Sequence, residues 1–202
     1  GIKIGSGATF TTPLNTETTS YYAEAGFIVP NVTAQVGTAT TTSSSSGSSP
    51  YYHGWGGVKT QYIYKVEELI AAGLNSGPIT SIAFDVTSTG SNLADFTVHI
   101  GTTTQELATA THVSGLTLVY SNPNQATTVG LNTYSLTGTF VWDGISNIVV
   151  QTSFSNVNTG GTSASTRYHA PGSTLSTYTY ADNRTAQQIL DTMTGGVSDG
   201  SS

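Results

Sequence analysis

Apolar and polar residues alternate through much of the chain. From Ile79 to Val86, the residues Ile82, Phe84 and Val86 alternate with Ser81, Ala83 and Asp85. From Phe96 to Ile100, the apolar set Phe96, Val98 and Ile100 alternates with Thr97 and His99. Successive side chains of a strand point to opposite faces, so a period of two predicts strands buried on one face. On this pattern His99 points to solvent. The same reading predicts strands at Val58–Tyr64, Leu116–Tyr120, Asn132–Leu136, Thr139–Trp142, Thr166–His169 and Thr177–Tyr180. Ser146–Phe154 carries Ile148, Val150 and Phe154 on one face and Val149 on the other, which predicts a more central strand. Turn-forming clusters such as Asn75-Ser76-Gly77-Pro78 and Ser121-Asn122-Pro123-Asn124 bound most of these runs.

Two segments break the alternation. Lys65–Ala72 places Val66, Leu69 and Ile70 at helical spacing and stops at Gly73. Thr185–Met193 places Ala186, Ile189, Leu190 and Met193 on one side and ends at Gly195-Gly196. Eight or more short strands with two short helices predict an all-β fold, a β-sandwich of jelly-roll-like character. No internal repeat is visible. In the first fifty residues, Ile2–Ile4, Thr9–Thr11 and Tyr21–Val29 read as extended segments of an N-terminal arm. Thr38–Ser49 is low-complexity, has nothing to bury, and reads as a flexible loop or linker. The expected division is therefore an arm and Ser/Thr-rich loop over 1–50 and a sandwich over 51–202.

Composition narrows the function classes. Lys and Arg number 5 and Asp and Glu 11, giving a formal charge of -6. Five cations are too few to neutralise a track of phosphates, so nucleic acid is not an expected partner. No apolar run approaches the ~20 residues of a membrane helix, so no membrane insertion is expected. Thr (37) and Ser (25) make up 62 of the 202 residues, while charged residues are only 8%, against about 25% in ordinary soluble domains. Such a hydroxyl-dressed, weakly charged surface suits a secreted, extracellular β-protein. Cysteine is absent, which removes disulfides and thiolate metal sites.

Residues 51–155 carry a series of motifs. These are Tyr51-Tyr52-His53-Gly54-Trp55-Gly56-Gly57, Gln61-Tyr62-Ile63-Tyr64, Glu68-Leu69-Ile70-Ala71-Ala72-Gly73, Ile82-Ala83-Phe84-Asp85-Val86 and Phe140–Val150. With Tyr178–Asn183, they resemble a β-domain recurrent in secreted, type IX-exported surface proteins of Bacteroidota. The resemblance implies an extracellular β-sandwich and implies no activity. Similar domains close with an Arg-Pro-led strand, whereas this chain runs into Ser198-Asp199-Gly200-Ser201-Ser202. On that comparison either the domain boundary falls there or the sandwich keeps an open edge, a template for a strand from another chain.

Candidate chemistry is sparse. His53, His99, His112 and His169 show no metal-ligand spacing. Glu67 and Glu68 sit where they favour a helix start. Asp143-Gly144 reads as a turn, and no pair of carboxylates is marked for glycoside hydrolysis. There is no G-x-S-x-G elbow. No catalytic residue, resident metal or cofactor is expected, and the chain is read as a non-enzyme. A structural Ca²⁺ held by carboxylates and carbonyls is compatible with a sandwich, although no EF-hand-like spacing exists. Asp191-Thr192-Met193 fits a short O-glycosylation pattern at Thr192.

The expected function is a structural or adhesive surface protein, a filament subunit or adhesin module. Its partners would be other copies of itself or neighbouring surface domains, joined by strand exchange through Ile2, Ile4, Phe27, Ile28 and Val29 of the arm. The alternative is a carbohydrate-binding module, with Tyr51, Tyr52 and Trp55 as the platform on which glycan rings stack. Against that stands the ordinary use of large aromatics to fill a core.

Overall fold

In the computed structural model, residues 32–38, 40–158 and 160–201 are described. Ile2, Ile4, Phe27, Ile28 and Val29 of the expected arm lie outside the described residues. The ordered elements are β1 (Thr42–Ser43), β2 (Gly57–Tyr64), α1 (Val66–Ala71), β3 (Gly77–Ser88), β4 (Leu93–Thr103), β5 (Thr117–Gln125), β6 (Gly130–Trp142), β7 (Asn147–Ser155), β8 (Ser165–Arg167), β9 (His169–Ala181), α2 (Ala186–Leu190) and β10 (Gly196–Ser201). They form a β-sandwich with a four-stranded sheet, β1-β8-β3-β6, and a six-stranded sheet, β10-β9-β2-β7-β4-β5. Every pairing between these strands is antiparallel. No described helix is long and apolar enough to cross a membrane.

The two-residue period is borne out where one face meets the core. Phe84 and Val86 of β3, Phe96, Val98 and Ile100 of β4, and Tyr134 and Trp142 of β6 are all buried between the sheets. β7 is the central strand its double-sided apolar pattern predicts, and all nine of its residues are buried. Its second face is covered because Ile63 and Val149 pack with Ala108, Val113 and Leu116 of the β4–β5 connection. That cover is pinned by polar contacts. Gln61 donates to Gln151 Oε1 at 2.8 Å and accepts from Val113 N at 2.7 Å, and Ala108 N donates to Thr174 O at 2.8 Å.

Several expectations change. The two strands predicted at Asn132–Leu136 and Thr139–Trp142 are one strand, β6, whose register against β3 jumps between Ile79 and Ser81 and leaves Leu136–Thr139 bulged. Ser121–Asn124, read as a turn, continues β5 in pairing with β4. His99 is half-buried, with Nδ1 3.5 Å from Gln151 Nε2, because the β4–β5 connection covers the face expected to meet water. The Ser/Thr-rich segment is not an unattached loop. Thr42 and Ser43 pair with Arg167 and Thr166, and Gly47–Pro50 are buried, so the sandwich begins before residue 51. The open edge expected at the C-terminal tail is not found, since Gly196–Ser201 forms β10 and covers the flank of β9.

Candidate functional site

Tyr51 and Tyr52 are adjacent at the end of a turn closed by Tyr52 N donating to Ser49 O at 3.3 Å, and the two rings part there. Tyr51 is 1% exposed and enters the core, where its hydroxyl lies 2.7 Å from that of Tyr134. Burial, together with Tyr134, raises the Tyr51 phenol well above its usual range. Tyr51 therefore offers no face to a ligand, which corrects its place in the expected platform. Trp142 is likewise buried, its Nε1 donating to Ser146 O at 2.8 Å.

Trp55 is different. It is 38% exposed and stacks on Tyr180, with centroids 4.9 Å apart and planes 15° from parallel. Tyr180 stacks in turn on Tyr178 at 6.0 Å and 16°, and Tyr52 meets Tyr180 edge-on at 6.1 Å. The rings thus form a row of parallel rungs. Tyr178 and Tyr180 escaped the sequence reading as site residues, although their two-residue spacing in β9 puts both on one face.

Three loops meet around Trp55. Gly56 N donates to Asp182 Oδ1 at 2.7 Å, and Asn156 N donates to Gly56 O at 2.7 Å. Asn183 N donates to Val157 O at 2.6 Å. Gly54 and Gly160 approach so closely that a Cβ on Gly160 would stand 2.5 Å from the Gly54 carbonyl carbon. Val157 (φ +66°) and Asn183 (φ +57°) both adopt the left-handed backbone region, which is a genuine outlier for a β-branched valine.

The two margins of the sandwich contrast. Along one, the segment after β1 crosses from the four-stranded to the six-stranded sheet. Ser49 Oγ donates to Ala164 O at 2.9 Å, and Gly47 lies so near β9 and β10 that a Cβ there would stand 2.8 Å from both the Tyr178 ring and Ser198 Cβ. Along the other, β5 and β6 face each other. Thr137 Oγ1 donates to Val119 O at 2.9 Å, and the Tyr120 and Tyr134 rings lie 4.8 Å apart. A pocket of about 260 Å³ opens beside them, lined by Tyr120, Gln125, Leu131, Asn132 and Tyr134 among others. No described strand pairs with the outer side of β6. Val129 and Leu131 are 69% and 68% exposed there.

Titratable groups collect under α2. Lys59 is buried and donates through Nζ to the carbonyls of Leu190 and Thr192. Burial lowers its pKa to about 8, opposed by the carboxylate of Asp191. His112 is buried with neither ring nitrogen hydrogen-bonded, and burial, aided by the charge of Lys59, pulls it down to about 3. His53 is buried against Phe154 and is also lowered by burial. Thr192 is half-buried and its Oγ1 donates to Gln188 O at 2.9 Å, so a sugar on that oxygen would replace the bond that ends α2. Among the described residues, no three His, Asp or Glu side chains gather where they would hold one ion. Compared with protein-family models, curated proteins and solved structures, the chain matches none.

Proposed function

We propose that this chain is a non-catalytic structural or adhesive module of the cell surface that associates with further copies of itself by main-chain pairing along β6. The observation that carries the reading is the inequality of the sheet margins. β1 is two residues long, and the segment after it seals that side. β10 carries Asp199 and two register shifts. β5 carries Pro123 and a register shift between Val98 and His99 of its partner. Short length, charge, proline and bulges are the devices that keep sheet edges from pairing with other chains. The Gly130–Ser135 stretch of β6 carries no charge and no proline, and Leu131 is exposed upon it.

The partner strand in this reading is the apolar arm of a neighbouring copy, with Ile2 and Ile4 or Phe27–Val29 as its anchoring side chains. Main-chain hydrogen bonds supply affinity and alternate side chains set register. The hydroxyl-rich, weakly charged composition and the resemblance to Bacteroidota surface domains support an extracellular location.

Sedimentation of the full chain over a range of concentrations tests this. Wild type should assemble, whereas Leu131→Lys, which places a charge on the edge, should remain monomeric with an unchanged circular dichroism spectrum. Phe27→Asp/Val29→Asp should do the same if the arm is the donor. A wild type that is monomeric at every concentration, or a Leu131→Lys variant that assembles normally, removes the reading.

A further inference from the structure

Trp55 is both immobilised and uncovered. One indole face lies on Tyr180, which is backed by Tyr178 and braced edge-on by Tyr52. The 38% of its surface that remains exposed must therefore come from the opposite face and the rim. Its backbone is clamped on the C-terminal side, where Gly56 is held by Asp182 and Asn156. On the N-terminal side it is fixed by the close Gly54–Gly160 approach. A ring held this way loses little further freedom when a ligand stacks on it, which is the main saving that pre-organisation provides.

The surroundings are polar. Asp182 uses Oδ1 on Gly56 N, and its Oδ2 has no hydrogen-bond partner among the described residues. Asn158 and Asn183 are exposed. Val157, beside Asn183, holds a strained left-handed conformation, a kind of strain that persists where surrounding contacts enforce it and that collects at ligand clamps. The apolar area on offer is Trp55, Tyr180 and Val157, which are 38%, 40% and 39% exposed. That is far less than the ~800 Å² each partner buries in a stable protein interface. It matches one sugar ring, whose axial C–H face lies on an indole while its hydroxyls turn to carboxylate and amide groups.

We propose that the open face of Trp55, rimmed by Asp182, Asn183 and Asn158, binds one pyranose ring of an uncharged glycan. The stacked rungs hide the faces of Tyr178 and Tyr180, so the site takes a single stacked ring rather than a run of them. It shares no residue with the β6 margin and stands or falls apart from the assembly reading.

Tryptophan fluorescence isolates the site, because the chain has two tryptophans and Trp142 is buried. The full-length protein would be titrated with gluco-, xylo-, manno-, galacto- and chito-oligosaccharides. At least one should shift the emission saturably. Trp55→Ala should weaken binding of that sugar, read by calorimetry, about tenfold or more, while Trp55→Tyr, which keeps a stacking face, should recover part of it. Leu131→Lys should bind as wild type does. Absence of a saturable response to all five series, or wild-type affinity in a folded Trp55→Ala protein, overturns the proposal.

Discussion

Lys59, His112 and the Tyr51–Tyr134 pair place polar atoms where little water reaches them, and each makes a measurable demand on stability. Tyr51→Phe leaves the Tyr134 hydroxyl buried without its 2.7 Å partner and should cost about 1–3 kcal/mol. The double change Tyr51→Phe/Tyr134→Phe should cost less than the two single changes summed, because it leaves neither hydroxyl stranded. Urea unfolding of the three variants checks this, and simple additivity would mean that the hydroxyls do not depend on each other. For His112, an unfolded imidazole takes up a proton near pH 6.5, whereas the folded one resists until about 3. Above pH 6.5 neither state binds that proton. As pH falls below 6.5 the unfolded state binds it first, so stability is lost by up to about 1.4 kcal/mol per pH unit. His112→Leu should flatten the decline of urea stability between pH 6 and pH 4, and an unaltered slope would contradict the burial argument. Alternation alone cannot reveal this residue, since His112 lies in a connection whose burial depends on the sheet beneath it.

Among the elements, the helices combine legible and illegible parts. The apolar spacing in Thr185–Met193 predicts α2. Thr185 Oγ1 accepts from Gln188 N at 3.3 Å, while Thr185 N donates to Gln188 Oε1 at 2.9 Å, a reciprocal cap at the start of α2. Thr185→Ala should destabilise the protein by about 1 kcal/mol, with faster hydrogen exchange confined to α2. At its other end, Lys59 reaches from β2 to the Leu190 and Thr192 carbonyls, a contact no local pattern announces. β1 and β10 escaped prediction for a related reason. Their residues are Thr, Ser, Gly, Asp and Val in no apolar period, and what makes them strands is main-chain pairing with β8 and β9. Backbone hydrogen bonds leave no imprint on side-chain polarity.

For the whole molecule, the low charge matters more than its sign. If copies join through an uncharged edge, assembly should persist in about 1 M salt, where the Debye length shrinks to about 3 Å and exposed ion pairs are screened. Dissociation by salt in light scattering would point to an ionic contact instead. The exposed pair Arg167–Asp85 at 3.0 Å lies on the four-stranded sheet, and exposed pairs of this kind add little stability, so the fold itself should be equally insensitive.

From sequence alone came the all-β class, the central position of β7, the two short helices and most core positions, because burial on one face imposes a local period that side chains must obey. Tertiary structure alone separated Tyr51 from Tyr52, set Trp55 on Tyr180, drew Lys59 and His112 beneath the connections, and left the outer side of β6 without a partner strand among the described residues. Those outcomes depend on which distant segments meet, and contacts between residues a hundred positions apart leave no periodic trace along the chain.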